Sequence, residues 1–490
     1  MQKLNKQTWT DYNKYPEKVL QFGTGNFLRA FTDWQIDKMN KNAGFNGSIV
    51  VAQSTNSGTV EKLNNQDGLF TLFLQGIKGS KPVREHHVIN SISRGINLLT
   101  DQKEFFSLAE KPELRFVFSN TTEAGIVFNK EDRLNDNLQK SFPGKLTDFL
   151  YHRFKAFKGD EKKGLIIIPC ELIEHNGREL KKVILQYADL WSLEEPFIHW
   201  IHKANTFCCT LVDRIVPGYP KDSIKEMTES LGFEDELIVV GEQYHLFVIE
   251  GPKWIEQEFP AEKAGLNVKF VQDISPYRMR KVRILNGAHT AMTPVAYLAG
   301  IETVREAVTT EETKQFVEEL IYKEIIPTLD LPKEELELYG KDTLDRFSNP
   351  FLKHYLSSIA LNSISKYKTR NLPTLLDYYE KYQQLPQKLV FSLSALIQFY
   401  KGKRGSEGIA LADDKEILTF FEELWKDCDG TEEGLERVAA RVLANEKLWN
   451  RDLTEIEGLT ELVSKFLIKI HQVGMKEAVQ DVLSVRRASL

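Results

Sequence analysis

The chain reads as an α/β protein: a Rossmann-type doubly wound sheet followed by a mainly α-helical domain. Three observations predict this. Short β-rich runs alternate with helical stretches through the first half, which implies a parallel sheet with helices on both faces. A glycine turn directly follows the first of those runs. Beyond about Glu250 the pattern becomes almost wholly helical. At 490 residues the chain also exceeds one core, which stops growing near ~250–300 residues. Two domains are expected, 1–265 for dinucleotide binding and 266–490 for substrate and catalysis.

The elements follow in order. Residues 18–22 are predicted as a strand, with a turn and then a helix through about Asn42. Residues 48–52 and 115–118 are further strands, and 165–168 is fully apolar, as for a strand buried on both faces. Helical patterns fall at 101–110 and 146–158. The stretch 251–276 is rich in glycine and proline and reads as connection plus edge structure. Amphipathic patterns then run through 280–298, 311–325, 352–366, 387–400, 415–426, 434–445 and 460–471.

Composition excludes several classes. Sixty-four basic residues against seventy acidic ones give −6, without long blocks. Bulk charge therefore does not drive binding to nucleic acid. No apolar run reaches the ~18 residues of a membrane span, and the N-terminus has no apolar signal segment. The cysteines, Cys170, Cys208, Cys209 and Cys428, fit neither a disulfide framework nor a zinc knuckle. A reducing, cytoplasmic setting is expected. His199 and His202 lie near Cys208-Cys209, but adjacent cysteines do not both ligate one tetrahedral zinc easily. No metal is expected, and no protein partner is indicated.

Gly23-Thr24-Gly25-Asn26-Phe27 follows Phe22 at the end of the first strand and opens a helix. Glycines permit a tight turn and close backbone approach, and the helix start offers unpaired N–H groups to a pyrophosphate. Leu28 stands where a third glycine would be. The second strand ends Gln53-Ser54-Thr55-Asn56, with neither an acid for a ribose nor an arginine for a 2′-phosphate. The local chemistry fits NAD or NADP. A third strand end, Ser119-Asn120-Thr121-Thr122-Glu123-Ala124-Gly125, is small and polar, as suits a loop at the carboxyl edge of the sheet.

Lys281, Asn286 and His289 lie in one helical pattern. At about 100° per residue, Asn286 stands about 140° and His289 about 80° from Lys281, on one broad face. A lysine that exchanges a proton with a substrate oxygen, beside amide and imidazole donors, fits carbonyl reduction. Gly287 inside this helix costs ~1 kcal/mol, which points to a packing or ligand reason.

Here the chain resembles the mannitol dehydrogenase family of polyol-specific long-chain dehydrogenases. The likeness rests on Lys281-x4-Asn286-x2-His289 and Gly23-x-Gly25-x-Phe27-x-Arg29. It extends to Thr122-Glu123-x-Gly125, Val212-Asp213-Arg214-Ile215-x-Pro217 and Arg346-Phe347-x-Asn349-Pro350. These motifs stand in the family's order across about residues 18–373. Within the family the chain is most similar to members acting on sugar acids. That likeness lies in Leu20 to Phe31, in Leu285-Asn286-Gly287-Ala288-His289-Thr290-Ala291, and in Asn362-Ser363-Ile364-Ser365-Lys366 with Leu372-Pro373.

The resemblance implies NAD, no metal, and a site between a Rossmann-type domain and a helical one. It implies cofactor binding by Phe22, Gly23, Thr24, Gly25, Asn26, Phe27, Thr122 and Glu123. It makes Lys281 the general acid/base, Asn286 an oxyanion donor and His289 a substrate-orienting donor. Asp213 would border the site. The family's second oxyanion asparagine follows the apolar strand. Here that region reads Cys170-Glu171-Leu172 rather than Asp-Asn, and Asn176 is the candidate. A sugar acid also needs cations for its carboxylate, and Arg346, Lys366 and Arg370 are the candidates. The plainer reading of 366–370 is a solvated helix end. The rivals are a reductase of an epimeric keto-uronate, a polyol 2-dehydrogenase, and a nucleotide-binding sensor without catalysis.

Overall fold

The computed structural model describes residues 1–56, 58–79, 81–121, 125–134 and 139–484. They form two compact units, Met1–Gln75 with Val83–Ile274, and Gly76–Pro82 with Ser275–Leu490.

The first unit is built on six parallel strands: β1 (Glu17–Phe22), β2 (Ser48–Gln53), β3 (Ile92–Asn97), β4 (Phe116–Ser119), β5 (Ile166–Pro169) and β6 (Thr206–Phe207). They lie in the order β3-β2-β1-β4-β5-β6, that of dinucleotide-binding sheets. Alternation along each strand builds two cores. Val19, Ile49, Val51, Phe116, Phe118, Ile166 and Ile168 enter one. Leu20, Phe22, Val50, Ala52, Val117 and Ile167 enter the other.

The second of these cores is covered by helices Gln102–Ala109, Phe142–Ala156, Asn176–Leu190 and Glu195–Lys203, through residues such as Phe105, Phe149, Ile184 and Trp200. The first core departs from the expectation of helices on both faces. One helical run, Asn26 to Asn42, supplies Ala30, Phe31, Ile36 and Met39. Much of the remaining cover comes from two smaller sheets, through Leu72, Val239, Phe247 and Ile249, with Leu63 and Ile255 added from two short helices. One sheet joins Phe70–Lys78 to Val239–Glu242 and Lys81–Ile89. The other joins Cys209–Asp213, Leu246–Glu250 and the edge strand Val268–Val271. These strands bury an apolar side as a helix would, so the core demand is met by β structure.

The Ser275–Leu490 part of the second unit is mainly helical, with a two-stranded ribbon at Lys403–Arg404 and Glu407–Gly408. Gln387–Phe399 is apolar nearly all round and buried along its length, as befits a central helix. It packs against Leu459–Val473 and Ala288–Leu298. Its N-terminus has no cap from its own chain segment. The buried Glu324 carboxylate accepts from Lys388 N and Leu389 N, each at 2.9 Å, in place of one. The helix expected over 352–366 is interrupted. Asn362 takes the left-handed conformation at φ 52°, separating Leu356–Ile359 from Ser363–Arg370. No helix of the described residues is long and apolar enough to cross a membrane.

Candidate active site

At the carboxyl ends of β1 and β4 the strand order reverses, and open α/β sheets bind ligands there. A crevice of about 460 Å³ lies at this point, lined among others by Gly23, Thr24, Gly25, Gln53, Ser54, Thr55, Asn120 and Thr121. Gly23 has φ +123°, and a Cβ there would stand 3.0 Å from Asn120 O. Backbone and packing both demand glycine. Gly25 differs: a Cβ would meet no protein atom within 4 Å, so it would project into open space on a residue that lines the crevice. Gly25 also caps the following helix without a side-chain bond, leaving N–H groups for an anion. These features fit a dinucleotide pyrophosphate.

The turn is braced from beneath. Gln21 Nε2 donates to Gly23 O at 3.2 Å and to Asp33 Oδ2 at 3.3 Å. Burial pushes the Asp33 carboxyl up to about 6. The loop after β4 is held by buried Glu171, whose carboxylate accepts from Ser119 Oγ at 3.0 Å and from Thr121 N and Oγ1 at 3.1 Å. Lys140 and Lys145 also line the crevice. Lys145 Nζ donates to Lys140 O at 2.8 Å, and burial lowers its ammonium to about 8.

The side chains of three expected cofactor residues have partners within the protein. Phe22 packs edge-on to Phe105 and Phe142 in the core. Phe27 stacks on Phe31, and Asn26 Oδ1 accepts from Arg29 at 2.7 Å. Arg29 itself is a buried strut bonded to Leu237 O. Thr122 and Glu123 lie outside the described residues.

The second constellation sits on Ser275–Arg280, Lys281–Gly287 and Ala288–Leu298. The middle segment is a π-helix, not the α-helix assumed in the face calculation above. A π-helix bonds i to i+5 and takes about 4.4 residues per turn, so Asn286 lies a little more than one turn beyond Lys281. Their separation narrows from about 140° to about 50° by this winding. Both are half-buried. His289 follows in α-helix, 9% exposed, stacked on Phe347 at 4.1 Å and edge-on to His354 at 5.1 Å. Its Nε2 is buried and has no hydrogen-bond partner among the described residues. Burial first, then His354, Arg346 and Arg370, hold the imidazole well below its ordinary range, so it is neutral. A buried polar atom without a partner is rare and calls for a ligand.

Gly287 is not required by packing. A Cβ there would meet Val282 O at 3.5 Å and Arg370 O at 3.6 Å, ordinary contacts. Asn371 Nδ2 donates to Gly287 O at 2.9 Å and ties the next helix to the π-turn. Arg370 Nη1 donates to Thr290 Oγ1 at 3.2 Å. Lys366 Nζ instead donates to Ile359 O at 2.8 Å, and Arg346 is buried. Asp213 is buried at the end of its strand.

Asn176 is set aside as a substrate donor. It is wholly buried, and its Nδ2 donates to Pro169 O, Glu171 O and Thr210 Oγ1 at 2.9–3.0 Å. Its Oδ1 accepts from Gly177 N and Thr210 N, each at 2.9 Å. It staples β5 to the strand at Cys209–Asp213. His354 and Thr290 carried no assignment in the sequence reading. Only their places five residues past Asn349 and one past His289 could have marked them. Among the described residues no group of three or more His, Cys, Asp or Glu side chains is arranged to hold a metal.

Comparison with known proteins adds to this geometry. Residues 17–263 match the mannitol dehydrogenase Rossmann domain model, and residues 273–471 the mannitol dehydrogenase C-terminal domain model. Altronate oxidoreductase of Bacillus subtilis (strain 168) is 57% identical over 481 residues, 98% of each chain. The altronate oxidoreductase of Phocaeicola vulgatus is 47% identical over 486 residues, covering 99% of this chain and 100% of its own. Among solved structures, D-sorbitol dehydrogenase in substrate-free form superposes with a TM-score of 0.81 at 23% identity, covering 97% of this chain and 100% of its own. The Pseudomonas fluorescens mannitol 2-dehydrogenase ternary complex with NAD and D-mannitol gives 0.67 at 22%, covering 99% and 100%.

Proposed function

The chain belongs to the mannitol dehydrogenase family, and on that premise we propose that it is an NAD-dependent altronate oxidoreductase. It reduces the keto group of tagaturonate to the alcohol of altronate, and runs the reverse. The substrate is supported by near-full-length relatives named altronate oxidoreductase. NAD is supported by the crevice at Gly23-Thr24-Gly25 and by the NAD complex of the mannitol dehydrogenase relative.

The observation that carries the catalytic reading is the π-turn. It brings Lys281 and Asn286 onto one face and is followed by a buried imidazole whose Nε2 has no partner among the described residues. Bound cofactor supplies or accepts the hydride at the carbonyl carbon. Lys281, as ammonium, gives its proton to the carbonyl oxygen during reduction and takes it back in oxidation. Asn286 Nδ2 donates to that oxygen as negative charge develops on it. His289, neutral, offers Nε2 to a substrate hydroxyl and fixes the sugar's orientation.

The test is NADH consumption over a panel of keto-uronates and uncharged ketoses. Tagaturonate should give the highest kcat/KM. Equal values for a keto-uronate and its matching ketose would move the assignment to a polyol dehydrogenase. No turnover of any substrate, with NADH still bound, would favour a sensor.

A further inference from the structure

We propose that Arg370 is the specificity-determining residue that holds the substrate's carboxylate; this rests on the sugar-acid reading above. Three cations were available from the sequence, and the geometry separates them. Lys366 spends its ammonium on Ile359 O at 2.8 Å. Arg346 is 7% exposed and already engaged. Arg370 is half-buried, and its one hydrogen bond among the described residues is Nη1 to Thr290 Oγ1, at 3.2 Å. No carboxylate of the described residues pairs with it.

That state is unusual for a guanidinium. Charged side chains removed from water are ordinarily paired. The residue is also not a plain solvated helix end. Lys368, in the same last turn, does fit that description, since it reaches only Asn450 Oδ1, at 3.5 Å. Arg370 instead turns toward the helix that carries His289, and Asn371 beside it is bonded to Gly287 O at 2.9 Å. The guanidinium is therefore tied to the turn bearing the proposed catalytic groups. With Nη1 engaged, the Nε–Nη2 edge remains. That edge presents two parallel N–H bonds, the geometry that receives a carboxylate in bidentate fashion.

The chemistry of the substrate completes the argument. A uronate is fully ionised at neutral pH, and the matching ketose carries a neutral hydroxymethyl group at the same end. The surroundings of His289 contribute the guanidinium groups of Arg346 and Arg370, a field that favours an anion. Thr290 acts as a positioning residue, since its hydroxyl orients the fork.

The test compares tagaturonate with tagatose as substrates for the wild-type enzyme, Arg370→Met and Arg370→Lys, all with saturating NADH. Losing a charge-assisted bidentate pair should raise KM for tagaturonate about 10- to 100-fold in Arg370→Met, with kcat changed much less. Any activity on tagatose should stay within about twofold. Arg370→Lys keeps the charge without the fork and should fall between, so it carries the test if the Met variant melts early. Thr290→Val should raise KM for tagaturonate a few-fold. Equal losses on both substrates would mean a structural role, and an unchanged ratio in both variants would place the carboxylate elsewhere. Either result overturns the assignment while leaving the substrate reading intact. If instead the wild type itself fails to prefer tagaturonate, the substrate reading fails first.

Discussion

Replacing His289 by phenylalanine should lower turnover and raise stability together. The variant keeps a ring on Phe347, now stacked at 4.1 Å, and keeps the burial. It removes Nε2, which is buried without a partner among the described residues. A buried, unsatisfied polar atom costs the fold about 1–3 kcal/mol. Deleting it should therefore stabilise the unliganded protein by about 1 kcal/mol, once some strain from the larger ring is deducted. The same atom is proposed to bond the substrate. Its loss leaves a buried substrate hydroxyl unpaired, which costs about 1–3 kcal/mol, so kcat/KM should drop roughly 5- to 150-fold. Urea unfolding without ligand and steady-state kinetics on tagaturonate measure the two effects. A histidine that merely supports the core predicts a loss of stability with the loss of activity. A destabilised variant, or one with wild-type kcat/KM, would refute the reasoning.

Lys281→Ala should cut kcat by on the order of 10²–10⁴ with NADH affinity near wild type, and a variant keeping a tenth of wild-type kcat would remove its acid/base role. Gly25→Val should weaken NADH binding at least tenfold, measured by fluorescence titration, while leaving the melting temperature within about 2 °C, because a side chain there meets open crevice and no protein atom within 4 Å. Stability should fall on acidification through His245. Burial and then Arg214 lower its pKa to about 3, so the folded state stays neutral while the unfolded chain takes up a proton below its ordinary ~6.5. The unfolded state gains there, by about 2 kcal/mol at pH 5. The contribution is fully present above pH 6.5 and fades as pH falls toward 3. His245→Gln should flatten that slope in urea titrations at pH 7.5 and 5, and an unchanged slope would discard the assignment.

Local and periodic features carried much of this protein in one dimension. The strands at Val19–Phe22, Ile49–Ala52 and Ile166–Ile168 announce themselves because alternate or continuous apolar residues at period two must bury both faces. Gly23 and Gly25 mark their turn because a left-handed φ or a close approach is open to glycine alone. Lys281, Asn286 and His289 were legible as a spacing. What that spacing means depends on winding. Five residues separate Lys281 from Asn286 in any helix, but only the wider π-winding brings them close on one face, and no side chain in 281–287 spells out a π-turn. Asn176 had the right residue type in the right region. Its five hydrogen bonds, to Pro169, Glu171, Gly177 and twice to Thr210, are made with residues 34 or fewer positions away, and they leave no donor free. The same holds for the cations. Lys366, Arg370 and Arg346 look alike as charges in a sequence. Their difference is whether a carbonyl, a hydroxyl or another partner already faces each one. That depends on how Ser363–Arg370 is docked on the π-turn through Asn371 and Thr290. Hydrogen-bond satisfaction is a property of neighbours in space, and only the tertiary structure supplies the neighbours.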